Sequence, residues 1–218
     1  MGQEAVKEGH DAEALELLQR SCHQFEHGDG CLVYGLEHKR LKTLEGNETT
    51  GVAIMAYEKA CALGTSEGCF NMGLVHEQGS NRPVDLNKAA NWYRKGWELD
   101  QNPKAGRNLA SILFTANETD KEGAIAIFTT LCDAGHLKDC GNLGTAYVRE
   151  KDYVAALPLL KKACVGSKPD VQACFNAGVL IARGEDQSVT NPAAAAEPLF
   201  KTACSHGHEK ACQKLAPQ

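Results

Sequence analysis

Ten cysteines are the residues of this chain best suited to chemistry. They fall into five couples of nearly equal spacing: Cys22/Cys31, Cys61/Cys69, Cys132/Cys140, Cys164/Cys174 and Cys204/Cys212. Thiols so placed serve redox exchange, metal binding or structural bridging. Low-pKa redox pairs usually use Cys-x-x-Cys, and that motif does not occur here. A zinc site combines sulfur with imidazole. Two stretches hold both: Cys204, His206, His208 and Cys212, and Cys22, His23, His27 and Cys31. However, His208 repeats the position of His136, which has no second histidine beside it, so a turn role accounts for the residue. Structural bridging is therefore expected of all ten cysteines, with no metal and no cofactor.

The couples recur every 32 to 40 residues, except for one double-length gap between Cys61 and Cys132. Halfway across that gap, Lys95-Gly96-Trp97 stands where other units read Lys-Ala-Cys, and Gly106-Arg-Asn-Leu stands where Cys69-Phe-Asn-Met stands. Both cysteines of that unit are missing together. Loss as a pair is what a bond between the two members predicts, because a lone survivor would be a stray thiol. Trp97 is expected to fill the space of the missing bridge. Self-similarity at a period of this size is the mark of a solenoid. The chain reads as one domain over 1–218, built of repeats at about 10–46, 47–83, 84–117, 118–149, 150–189 and 190–218.

Each repeat has the signals of a helix, a tight turn and a second helix. In the second, Val52, Met55, Ala56 and Lys59 recur at helical spacing, and Leu63-Gly64 suits a left-handed cap. Ser66 then begins a second helix, with Phe70, Met72 and Gly73 expected on its inner side. Asp85, Asp120 and Asp152 precede the first helices of the next three units, and Asn191-Pro192 opens the last. Ala60, Ala163 and Ala203 stand before the first cysteine, and Gly73, Gly144 and Gly178 four residues after the second. Glycine inside a helix costs roughly 1 kcal/mol relative to alanine. Its repeated use predicts a neighbouring backbone in the space of the absent side chain. Pro158 and Pro198 occupy matching registers and are expected to bend their helices alike.

The pattern Ala-x-x-Trp-Tyr-x-Lys-Gly (Ala89, Trp92, Tyr93, Lys95) resembles the first helix of a Sel-1-like repeat. The second-helix pattern Cys-x-Asn-x-Gly appears as Cys69-Phe-Asn71-Met-Gly73, Cys140-Gly-Asn142-Leu-Gly144 and Cys174-Phe-Asn176-Ala-Gly178. The resemblance covers nearly the whole chain, more loosely at Cys31-Leu-Val-Tyr-Gly35, and points to the cysteine-rich, secreted branch of that family. It implies an all-α fold, a right-handed superhelical solenoid of about six repeats, five of them stapled. It also implies an adaptor that holds other proteins or peptides. Some members bear a penicillin-binding or β-lactamase label. A serine β-lactamase needs Ser-x-x-Lys. No serine of this chain has lysine three residues on, and Lys201-Thr202-Ala203 departs from Lys-Thr-Gly.

Net charge is −5 with scattered basic residues, which disfavours nucleic acid as a partner. No apolar run approaches the ~20 residues that cross a bilayer. Five bridges belong in an oxidising compartment. Bacterial periplasm or cell surface is the expected location, with the mitochondrial intermembrane space as the alternative. Because no charged-apolar-small leader opens the chain, a mature or truncated protein is expected, with Met1 supplied by cloning. Val6 stands where a myristoylation signal needs Ser or Thr. Asn47-Glu-Thr49 and Asn117-Glu-Thr119 are glycosylation sequons, read here as loop residues.

Only 6% of residues are aromatic, so the core must be built mostly of Ala, Leu and Val, and staples compensate for it. The unstapled third unit is then the expected soft point. It also carries the richest binding chemistry, since Trp, Tyr and Arg dominate interface hot spots. Trp92 reads foremost as core. Asn91, Arg94, Lys95 and Glu98 are expected on the exposed side of the same helix. The reading is a non-enzymatic scaffold that binds a protein or peptide on the concave face formed by the first helices. It would act as an inhibitor or immunity protein of a secreted toxic effector, or as an assembly adaptor. The alternative is a penicillin-binding protein with weak β-lactam hydrolase activity.

Overall fold

Twelve helices and no strand make up the described residues of the computed structural model, which are 2–44, 51–79, 83–116 and 120–215. The helices are α1 (Gly2–His23), α2 (Gly28–Leu44), α3 (Gly51–Ala62), α4 (Ser66–Gln78), α5 (Leu86–Asp100) and α6 (Pro103–Ala116). They continue as α7 (Lys121–Asp133), α8 (Leu137–Arg149), α9 (Tyr153–Ala163), α10 (Val171–Ala182), α11 (Pro192–Ser205) and α12 (Glu209–Leu215). Each repeat contributes one odd-numbered and one even-numbered helix. Both sequons, at Asn47 and Asn117, include residues outside the described ones.

Local chemistry starts and stops these helices. The Asp85, Asp152 and Asn191 side chains accept from the backbone N–H groups of Lys88, Ala155 and Ala194, satisfying donors that the first helical turn leaves open. Asp120 makes no such bond, because its backbone (φ −101°, ψ 1°) is not the extended conformation that aims a cap. Gly64, Gly135, Gly166 and Gly207 turn the chain after their helices with φ near +90°, which suits glycine. Pro158 and Pro198 both lie inside helices, α9 and α11.

The chain divides into two compact units, Met1–Leu113 and Phe114–Gln218. Within the first, Tyr57, Tyr93, Met72 and Leu109 are buried; within the second, Phe128, Leu143, Leu160, Leu180 and Phe200 are. The buried stripe of α3 runs through Ala53, Ile54, Ala56, Tyr57 and Ala60, while Met55 is 62% exposed. The spacing that includes Met55 therefore describes the rim of the helix, and its core face lies one position away.

A neighbouring backbone does approach two of the recurring glycines, with Ala53 O 3.1 Å from a Cβ placed on Gly35 and Ala156 O 3.2 Å from one on Gly144, but side chains come closer still. A Cβ on Gly35 would lie 2.6 Å from a ring carbon of Tyr57, one on Gly144 2.8 Å from Leu160, and one on Gly178 2.7 Å from Phe200. Gly73 is covered by the Tyr93 ring in the same way. Each large side chain stands four residues before the first cysteine position of the next repeat. The glycines are thus sockets for knobs from the following helix. That packing joins the first three repeats to one another within the first unit and the last three within the second, as a pair of helices too small to be stable alone requires.

Candidate functional site

Five disulfides join the couples: Cys22–Cys31, Cys61–Cys69, Cys132–Cys140, Cys164–Cys174 and Cys204–Cys212. Their Cα atoms lie 4.3 to 4.8 Å apart, so each bridge pins the end of one helix to the start of the next. No cysteine is free. The sulfur atoms that zinc would need are therefore occupied by one another. Among the described residues no group of three His, Cys, Asp or Glu side chains is arranged to hold a metal ion.

One histidine of each candidate stretch acts as a cap. His27 Nδ1 accepts from Gly30 N at 3.2 Å, and His208 Nδ1 accepts from Ala211 N at 3.2 Å. His208 also stacks on Phe175, with ring centroids 4.3 Å apart. His27, Thr65, Asn102, His136, Asp170 and His208 each stand four residues before the second cysteine position of their repeat. The turn role expected for His208 is thus a capping role. His136 occupies the same position without a side-chain cap bond.

In the third repeat, Trp97 and Gly106 take the places of the bonded cysteines. A Cβ on Gly106 would collide with the six-membered ring of Trp97, so the indole lies directly on the helix start that a bridge would otherwise hold. Gly96, in place of the alanine of other repeats, brings α5 close to its neighbours: its added Cβ would be 3.1 Å from Ser66 O and 3.3 Å from Cys69 Cβ. A polar network reinforces this turn. Asn102 Oδ1 accepts from Lys104 N and Ala105 N, while its Nδ2 donates to Ser66 Oγ and Glu67 Oε2. Ser66 Oγ donates to Asp100 Oδ2 at 2.7 Å, and Lys104 Nζ reaches Glu67 Oε1 at 2.6 Å. Ser66 is therefore a partner of the next turn; the cap position before α4 belongs to Thr65.

Around this turn, α5 presents a polar outer face. Asn91, Arg94, Lys95 and Glu98 are all exposed. Arg94 donates to Asn91 Oδ1 at 3.1 Å, and Lys95 Nζ lies 5.7 Å from the centre of the Trp92 ring. Trp92 is half-buried and packs against the cluster of Ala53, Ile54, Tyr57, Met72 and Val75. Its inner edge thus serves the core while the rest lies among the exposed polar side chains. On the inner side of α5, the Tyr93 hydroxyl donates to Glu77 Oε2, which also accepts from Asn108 Nδ2 at 3.5 Å. Burial, aided by the Glu77 carboxylate, holds the Tyr93 hydroxyl pKa above the ordinary range. Tyr57, the equivalent residue of α3, is pushed up to about 12 by burial. Its hydroxyl is buried with no hydrogen-bond partner among the described residues.

Spacing within a repeat did not reveal the links between distant segments. Lys161 Nζ on α9 meets Asp186 Oδ2 at 2.7 Å, and Asp186 Oδ1 accepts from the Ser188 hydroxyl at 2.6 Å and backbone N–H at 3.2 Å. These bonds hold the Asp186 carboxyl at about 2, with Lys161 the main cause. Lys162 Nζ donates to Cys132 O at 3.3 Å, tying α9 to the previous staple. Among the described residues no helix is long and apolar enough to cross a membrane. Five disulfides are the mark of an oxidising setting.

Comparison with known proteins agrees with this architecture. The Sel1 repeat family model matches residues 66–100 and 171–208. No curated protein matches the chain. Among solved structures, the chain is similar to a protective antigen with an SLR fold from uropathogenic Escherichia coli (TM-score 0.72, 23% identity). That match covers 92% of this chain and 43% of the antigen, so the chain spans less than half of that relative. A Sel1 repeat protein from Oxalobacter formigenes gives a TM-score of 0.70 at 19% identity, covering 92% of this chain and 84% of that one. The Cut9–Hcn1 hetero-tetramer of the APC/C gives 0.58 at 20% identity, covering 95% and 39%. Residues 66–100 and 171–208 thus match Sel1 repeats, and the likeness to solved structures extends the same paired-helix repeat fold, here with five bridged turns, over nearly all of the chain.

Proposed function

We propose that this protein is a non-enzymatic scaffold of the cell envelope that holds a protein or peptide on the concave face made by its first helices. The observation that carries the reading is the outer face of α5, where Asn91, Arg94, Lys95 and Glu98 are exposed beside the half-buried Trp92. An aromatic ring anchored in the core, flanked by charged groups, is the composition found at binding hot spots. The staples support the reading from the other side: a surface held rigid before binding loses less entropy on association. Bridged turns also place the protein outside the reducing cytosol, and bacterial periplasm or cell surface is the compartment we assign.

A net charge of −5 suits a basic partner, and the finer form of the proposal is an inhibitor, such as an immunity protein, of a secreted toxic enzyme. An assembly adaptor is the other form. The test is capture from the native envelope fraction by the oxidised protein, run beside the Arg94→Ala/Lys95→Ala double variant. One partner held by the parent and lost by the variant is the expected result. Equal capture by both would remove α5 as the site. Turnover of a chromogenic β-lactam that tracks the purified protein would replace the scaffold reading with a hydrolase.

A further inference from the structure

Alignment of the repeats on their first cysteine position isolates one departure that the fold does not require. Eleven, ten, seven and six residues before that position, α9 carries Tyr153, Val154, Leu157 and Pro158. Ten residues before it, the other repeats carry Ala12, Gly51, Asn87, Glu122 and Ala194, all small or polar. Val154 is 84% exposed, so it contributes little to the core. A single exposed valine is ordinary. Here it adjoins three further apolar side chains and the floor of a cleft of about 550 Å³.

The opposite wall is the segment after α10, and it is built to stay in place. Asp186 accepts from Lys161 across the cleft and from Ser188 within the segment, while Val189 N donates to Asp186 O at 3.1 Å. Lys161 and Asp186 cancel each other's charge. Glu185 also lines the cleft, is exposed, and has no ion-pair partner among the described residues. The rim therefore holds one uncompensated negative charge beside an apolar floor.

We propose that this cleft docks a protein segment presenting an apolar side chain next to a basic one. The apolar group covers Val154 and Pro158 while the cation faces Glu185. This inference rests on the reading of the chain as a protein-binding scaffold, and it names a second contact point, separate from α5, with its own selectivity. On the scale of an exposed ion pair, a basic over an acidic neighbour should gain about 1.4- to fivefold in affinity.

The probes are two capped dipeptides, N-acetyl-Leu-Arg-amide and N-acetyl-Leu-Glu-amide, titrated into the oxidised full chain and followed by amide NMR. The expected result is a saturable set of shifts at Val154, Leu157 and Ser188 with the arginine probe and a weaker response with the glutamate probe. Glu185→Gln should abolish the preference, and Val154→Ser, at a position too exposed to disturb folding, should weaken both probes. No saturable shift, equal response to both probes, or indifference to Val154→Ser would each overturn the proposal. None of these outcomes bears on α5, whose amides report separately in the same spectra.

Discussion

The indole of Trp97 lies on the backbone of Gly106, at the two positions where the other five repeats place bonded cysteines. One covalent clamp has been exchanged for a ring packed on a helix start. Gly106→Ala would drive a methyl group into that ring, and overpacking of this kind costs about 1–3 kcal/mol. Urea unfolding should register the loss; a neutral result would mean that the contact is slack. Trp97→Cys combined with Gly106→Cys should close a sixth bridge on oxidation, seen as two hydrogens lost in the intact mass.

Two equivalent tyrosines make opposite forecasts. Tyr93→Phe deletes a donor to Glu77 and leaves a half-buried carboxylate with a weaker set of partners, a loss of about 1–2 kcal/mol. Tyr57→Phe deletes a hydroxyl with no hydrogen-bond partner among the described residues, so stability should stay within about 0.5 kcal/mol or rise. Phe128 and Phe200 already occupy the same register in other repeats. Thermal or urea unfolding of the two variants side by side checks the pair. A large loss at Tyr57 would reveal a hidden partner.

The staples should not yield to reductant together. Cys22, Cys31, Cys61, Cys69, Cys132, Cys140 and Cys174 are at most 1% exposed and Cys164 is 9% exposed, whereas both Cys204 and Cys212 are half-buried. Thiol–disulfide exchange needs access to sulfur. Graded reduction with alkylation and mass mapping should therefore open Cys204–Cys212 first and the bridges at Cys31 and Cys69 last. Prior opening of Cys22–Cys31 would contradict this order.

Acid should act on the α9 cleft at an unusually low pH. Asp186 is held at about 2, chiefly by the hydrogen bond from Lys161. A carboxyl whose pKa falls on folding contributes stability that is complete above its unfolded value, near 3.9, and is lost as pH drops through the folded value. Side-chain NMR should place the Asp186 midpoint near about 2, and Lys161→Met should move it back toward the ordinary carboxyl range. An unshifted midpoint in the parent protein would show that the Lys161–Asp186 bond does not persist in solution.

Much of the architecture was legible because it is written at short range. The couples, their joint loss in the third repeat, the capping side chains of Asp85, Asp152 and Asn191, and the outward set on α5 all depend on spacings within one or two turns. A helix repeats its own geometry, so such spacings carry over to space directly. The placement of Trp97 at the vacant bridge was legible for the same reason, once the repeats were aligned.

What had to wait for the fold was everything decided by a second segment. The helical spacing on α3 picked out Val52, Met55, Ala56 and Lys59, whereas packing against Met72 and Val75 of α4 buries Ile54 and leaves Met55 exposed. The glycines announced a close approach, yet only the stacked repeats show that a ring or a leucine fills each socket. Lys161 meets Asp186, and Ser66 meets Asn102, across 25 and 36 residues. One-dimensional spacing holds no term for such distances, because they are set by how helices and turns settle on one another in space.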